Sequence, residues 1–278
     1  MFRIIAAAVA CAALVASMCN ATCPNDISHS TSGSGSPGSF TCTFVDTGLY
    51  DIEIVATSTG TFTYTIDIDN GVSIHDLKIK NEGSSSTAVE VTVTTSGRVE
   101  NVLKQQGSNG GEVWIGTLTA TSGIGDGSDG SFDVDKIDEL ITFGDITAAI
   151  IVNGASGESV TIGTIPCAGD LKGQVVSSDG AINEIQVGGA IVIDSKSVQE
   201  AEIAAESIGL VQAASIVGHS EIAATVDGSP LGAIGRIETT STAAFVANIA
   251  AGSFVGSTGG VFIGGDLDGQ IYVNSPLT

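Results

Sequence analysis

An aliphatic pair three residues apart, often with glycine after its first member, recurs along this chain. Examples are Ile115-Gly-Thr-Leu118, Ile162-Gly-Thr-Ile165, Ile208-Gly-Leu-Val211 and Ile234-Gly-Arg-Ile237. The aliphatic-x-x-aliphatic tetrads begin at Ile52, Ile74, Val99, Ile115, Ile137, Ile162, Ile182, Ile208 and Ile234. Their successive intervals are 22, 25, 16, 22, 25, 20, 26 and 26 residues. A repeat of roughly 20 to 30 residues marks a solenoid, in which one supersecondary unit stacks on the next because no unit can bury its own apolar face.

The densest stretch, Ile203 to Ile237, allows two local readings. Val198 to Val217 contains enough Ala and Glu for a helix. Gly209 and Gly218 interrupt it, Ile and Val dominate where Leu would be expected, and no i, i+3, i+4, i+7 stripe is sustained. Strands are therefore expected. Upstream, Asp51-Ile-Glu-Ile-Val55 and Thr61 to Ile68 alternate with period two, and Asp69-Asn-Gly71 is a turn signal. For this N-terminal part an antiparallel β-sandwich is the alternative.

A second echo supports the repeat. Gly169-Asp-Leu-Lys-Gly-Gln-Val175 returns as Gly265-Asp-Leu-Asp-Gly-Gln-Ile271, 96 residues later, which is close to four repeats; Gly144-Asp-Ile146 is a shorter relative. The Asp residues of these echoes read as turn formers. Aromatic content of 5% and 37 glycines suit a core of thin aliphatic layers with tight corners. The chain is thus read as all-β, a parallel β-helix of roughly ten coils over residues 49–278. At about 4.8 Å per rung it would be about 48 Å long.

These patterns resemble the secreted right-handed parallel β-helix proteins of bacteria, including pectate-lyase-like and autotransporter-passenger-like solenoids. The handedness is implied by that resemblance and by the rule for parallel crossovers.

Residues 1–21 read as a signal peptide: Arg3, an apolar run from Ile4 to Val15, and a small-residue site ending at Ala21. A Ser/Gly-rich lead-in is expected over 22–48. Export permits a disulfide, and Cys23 with Cys42 is the expected pair; Cys167 would be a small buried hydrophobe. Secretion or a cell-surface location follows, with no membrane span.

The formal charge of -22 excludes nucleic acid as a partner, because phosphate contacts need Lys and Arg. Between Asp126 and Glu139 six carboxylates are threaded with glycine. The plain reading is a solvated loop; the alternative is calcium held by Asp126, Asp129, Asp133 and Asp135. No other cofactor is expected, and no catalytic residues are assigned. His29, His75 and His219 lack visible partners, and there is no nucleophile elbow, zincin motif or phosphate loop.

The chain is therefore expected to be a non-catalytic structural or adhesive module with a polysaccharide or cell-surface partner. A polysaccharide lyase or hydrolase on a β-helix groove is the alternative. The last coil, Val261 to Val273, lacks a polar cap, so that end is expected to meet another chain, to be covered by a loop, or to be continued in a longer protein.

Overall fold

The computed structural model describes residues 20–22, 27–31, 39–44, 49–56, 62–68, 73–82, 88–105, 111–126, 130–155, 157–193, 203–218, 220–225, 232–243, 245–255 and 259–273. Two parallel sheets run the length of the molecule. One stacks Ala88–Thr95, Glu112–Ala120, Lys136–Thr142, Val160–Cys167, Ala181–Ile193, Ser207–Gly218 and Ala233–Thr239 in chain order. The other stacks Ser73–Asn81, Arg98–Gln105, Ser131–Val134, Ala149–Val152, Val175–Ser177, Ile203–Ala205 and Ser220–Ala224. The chain crosses from one sheet to the other in every turn. About seven turns, rather than ten, make up this body. Ladder pairing continues past it at both ends, through Leu49–Ala56 and Phe62–Ile68 on one side and Ala247–Ala251 and Gln270–Val273 on the other.

All registered strand pairs among the described residues are parallel, including Leu49–Ala56 on Ser73–Asn81 and Phe62–Ile68 on Ala88–Thr95. That overturns the sandwich alternative for the N-terminal part. From Asp51 to Ile54 the alternation is between exposed or half-buried and buried side chains, a pattern that does not specify strand direction. Ser207–Gly218 is a strand, as its Ile/Val content suggests. Pairing also reaches back into the segment read as lead-in: Ile27–Thr31 lies on Leu49–Ala56, and Ser39–Phe44 on Phe62–Ile68. The β signal there is the alternation of Ser39-Phe-Thr-Cys-Thr-Phe44, which the neighbouring Ser/Gly run obscured.

The core is built of columns, each with one residue per turn. Val91, Ile115, Ile137, Ile162, Ile182, Ile208 and Ile234 stand in register on one sheet, all within 1% of complete burial. Leu77, Val102, Phe132, Ile150, Val175, Ile203 and Ile222 stand on the other, all at 0% exposure. Each buried aliphatic side chain of this kind contributes about 1.5–3 kcal/mol relative to exposure.

The tetrads have a definite physical origin. Ala88–Thr95 alternates strictly, but in the next turn Gly116 is an extra residue, and the register shifts between Val91 and Thr92. Such an insertion is a β-bulge. The strands from Lys136–Thr142 to Ala233–Thr239 keep it, so two residues lie between successive inward ones: Asp138-Glu139, Gly163-Thr164, Asn183-Glu184, Gly209-Leu210 and Gly235-Arg236. Asp138 and Asn183 fill this slot in two turns; where glycine fills it, an added side chain would strike the previous turn. A Cβ at Gly235 would lie 2.3 Å from the Gly209 carbonyl oxygen. Ile52, Ile74 and Val99, by contrast, lie on the opposite sheet, and the 16-residue interval from Val99 to Ile115 is the crossing between sheets.

A third column makes a corner. Ile74, Val99, Ile124, Ile146, Leu171, Ile191 and Ile216 pair in succession, through isolated bridges from Ile124 to Ile191 and through strand ladders at either end. Val246 N–H then donates to the Ile216 carbonyl, and Phe245 pairs with Leu267. The two Gly-Asp-Leu echoes therefore stand four rungs apart on one corner, while Gly144-Asp-Ile146 lies one rung before the first of them.

Candidate functional site

This corner gathers most of the distinctive polar chemistry of the chain. Between the corner column and the adjacent sheet column two successive turns place a two-residue outward segment. It is His75-Asp76 in one turn and Glu100-Asn101 in the next. In the following turn residues 125–131 separate the two columns, because Ile124 pairs with Val99 and Phe132 with Val102. The acidic loop is thus an insertion at a position where the preceding turns carry two residues.

His75 is itself the added residue of a bulge. On the preceding strand Tyr50 pairs with Ile74 and Asp51 with Asp76, which leaves His75 without an opposite number there. The bulge turns both His75 and Asp76 outward while Ile74 and Leu77 stay in the core. Asp51, Asp76 and Asn101 follow one another at intervals of 25 residues and pair in register. Ligand atoms of Asp51, His75 and Asp76 all lie within 4.8 Å of one another.

The surroundings of this group are well defined. His75 Nδ1 is 2.6 Å from Glu100 Oε2, and this bond raises the imidazole above its ordinary pKa. Asn101 Nδ2 donates to Asp76 Oδ1 at 3.0 Å, and Lys78 Nζ lies 2.9 Å from Asp76 Oδ2. Partial burial opposes the charge on Asp76, but the bonds from Lys78 and Asn101 outweigh it and hold the carboxyl below its usual value. Asn101 also accepts from Ser131 N–H at 3.1 Å, which ties the cluster to the turn that begins after the acidic loop.

Of the four carboxylates expected to hold calcium, three lie among the described residues, and these stand apart from one another. Asp126 is exposed where the loop departs, and Asp129 lies outside the described residues. Asp133 accepts from Asn153 Nδ2 at 2.6 Å. Asp135 is 4% exposed at the link between Ser131–Val134 and Lys136–Thr142, with both oxygens engaged by Lys104 and one of them also by Val113 N–H. Among the described residues, Asp126, Asp133 and Asp135 do not form a metal-sized group.

Other acidic residues join turns to each other. Asp145 Oδ1 accepts from Asp170 N–H at 2.9 Å, and Asp170 Oδ1 accepts from Ala190 N–H, also at 2.9 Å. Asp145 and Asp170 therefore clamp adjacent turns, a stronger role than turn formation alone. Lys172 bridges both carboxylates. Cys167 is a free, buried thiol in a column between Thr142 and Val187, and burial pushes it up to about 11. It lines a shallow depression of about 300 Å³ with Pro166, Gln186, Gln212 and Thr240, and no carboxylate faces that space. Cys23, the expected partner of Cys42, lies outside the described residues, as do the calls on His219 and on the Asp69–Gly71 turn.

No family model, no curated protein and no solved structure matches this chain. Among the described residues, no helix is long and apolar enough to cross a membrane.

Proposed function

We propose that this chain is an exported, acidic β-solenoid that acts as a non-catalytic structural or adhesive module at or outside the cell surface. The observation that carries this reading is how its polar side chains are used. Asp145, Asp170 and Asp135 hold neighbouring turns together, and the depression beside Cys167 has no acid or base in it. A solenoid of this kind offers a long regular surface, and its stability is the sum of nearest-neighbour contacts. Export, and kinship with right-handed bacterial β-helices of the pectate-lyase-like or passenger-like kind, belong to the same proposal. They rest on the leader-like first 21 residues and on the repeat. End-to-end contact at the last coil is supported by Leu267, Ile271 and Tyr272, which are 48%, 40% and 58% exposed.

One observation favours a second reading, a polysaccharide lyase or hydrolase. Asp51, Asp76 and Glu100 meet Lys78 and His75 on one face. The two readings separate in one experiment. Purified protein is incubated with acidic and neutral polysaccharides, with and without calcium, while reducing ends and unsaturated products are followed and retention on the same polymers and on whole cells is measured. Retention without turnover is the expected result. Turnover that disappears in Asp76→Asn would replace the structural reading with the catalytic one.

A further inference from the structure

The group at Asp51, His75 and Asp76 differs in kind from the acidic loop, because it combines an imidazole with carboxylates from two adjacent turns. We propose that these three side chains form a binding site for a divalent transition cation of the zinc class. Their ligand atoms already lie within 4.8 Å of one another, a separation that one ion can bridge with bonds of about 2.0–2.2 Å after small side-chain adjustments.

The position of Glu100 supplies the second element of such a site. When the imidazole is neutral, donation to the Glu100 carboxylate across the 2.6 Å contact places its proton on Nδ1. The lone pair is then on Nε2. Metal-ligating histidines are commonly oriented in this way, with the other ring nitrogen donating to a carboxylate. Asn101 performs a similar service for Asp76 and fixes one oxygen at 3.0 Å. Each carboxylate oxygen has two lone-pair directions, so Asp76 can bind a cation and keep Asn101. Lys78 is the competitor, since its ammonium occupies the other side of the same carboxylate.

The fold explains why the site sits here. The bulge at His75 sends two consecutive side chains outward, and the parallel register brings Asp51 directly beneath Asp76. In a strictly alternating strand His75 and Asp76 would face opposite ways. A nitrogen ligand favours zinc, cobalt or nickel over calcium, which prefers an all-oxygen shell.

The test uses the full chain after chelator treatment, titrated with Zn²⁺ alone by calorimetry and with Co²⁺ by visible absorption. One ion per chain is expected, with ligand-field bands of a mixed nitrogen and oxygen shell. His75→Ala and Asp51→Asn should each weaken binding at least tenfold, whereas Asp133→Asn should leave it unchanged. Lys78→Gln should tighten it several-fold by removing the competing ammonium. Unchanged circular dichroism and melting of the metal-free variants would exclude loss of fold as the cause. The proposal is overturned if the parent chain takes up neither ion, or if His75→Ala binds Zn²⁺ as well as the parent does.

Discussion

Lys104 stands at an inward position of its strand, opposite Ile79, and its ammonium reaches both oxygens of Asp135, at 2.6 and 2.7 Å. The lysine is one-fifth exposed and the aspartate almost completely buried. Asp135 also accepts from Val113 N–H at 2.7 Å, while its own N–H donates to the Val113 carbonyl. A charged pair thus interrupts the stack of inward positions that includes Ile54 and Ile79, and it joins three successive passes of the chain.

Breaking that pair should be costly, because a charge would be left without compensation. Asp135→Ala is expected to destabilise the protein by about 3–5 kcal/mol, and Lys104→Met by a similar amount. Combining Lys104→Met with Asp135→Asn keeps an acceptor for Val113 N–H and removes both charges, so it should recover most of the loss. A double-mutant cycle followed by urea unfolding measures the coupling, and strict additivity of the single changes would contradict this account.

The glycine slot makes a steric prediction. Gly235→Ala places a methyl group 2.3 Å from the Gly209 carbonyl oxygen, so adjacent turns must separate locally. The expected loss is about 1–3 kcal/mol. Gly157 lies in open space, although its φ of +83° also disfavours alanine. Thermal melts of the two variants separate collision from backbone strain, and Gly235→Ala should be the less stable of the pair.

Acid should loosen the corner clamp. Backbone donation from Asp170 and the nearby Lys172 ammonium hold the Asp145 carboxyl below its ordinary value. A group whose folded pKa is depressed adds stability that is present above its unfolded value and is lost as pH falls through the folded one. Asp145→Asn should therefore melt below the parent at pH 6. The difference should shrink below about pH 4 as the parent carboxylate takes up its proton. Paired melting curves across that range test the sign.

The buried thiol should be inert until the fold opens. With its pKa pushed up to about 11, Cys167 carries little thiolate at neutral pH. Alkylation in native buffer should be slow, and unfolding in urea should accelerate it by orders of magnitude. Cys167→Val, which matches Val187 in the next turn, should change stability by less than about 1.5 kcal/mol.

Much of the architecture was legible because repetition carries it. Ile115, Ile137, Ile162, Ile182, Ile208 and Ile234, picked out by spacing, stand in a single column. The two Gly-Asp-Leu echoes do lie four rungs apart. The number of turns was overestimated because spacing was extended over the whole chain length. The site was harder to read. The density of carboxylates along a sequence does not indicate which side chains share a face. The 25-residue interval from Asp51 to Asp76 to Asn101 was a usable signal, since it equals one turn and implies direct stacking. The Lys104–Asp135 pair left no such trace, because alternation alone does not reveal that a lysine is inward.

The corner between Ile124 and Phe132 accepts a lengthened segment while the columns on either side keep their register. Loop length at that vertex is consequently decoupled from the integrity of the stack. Foreign peptides spliced there would be displayed as pendants on a stiff rod, and natural variants could diversify the same spot without rebuilding the interior.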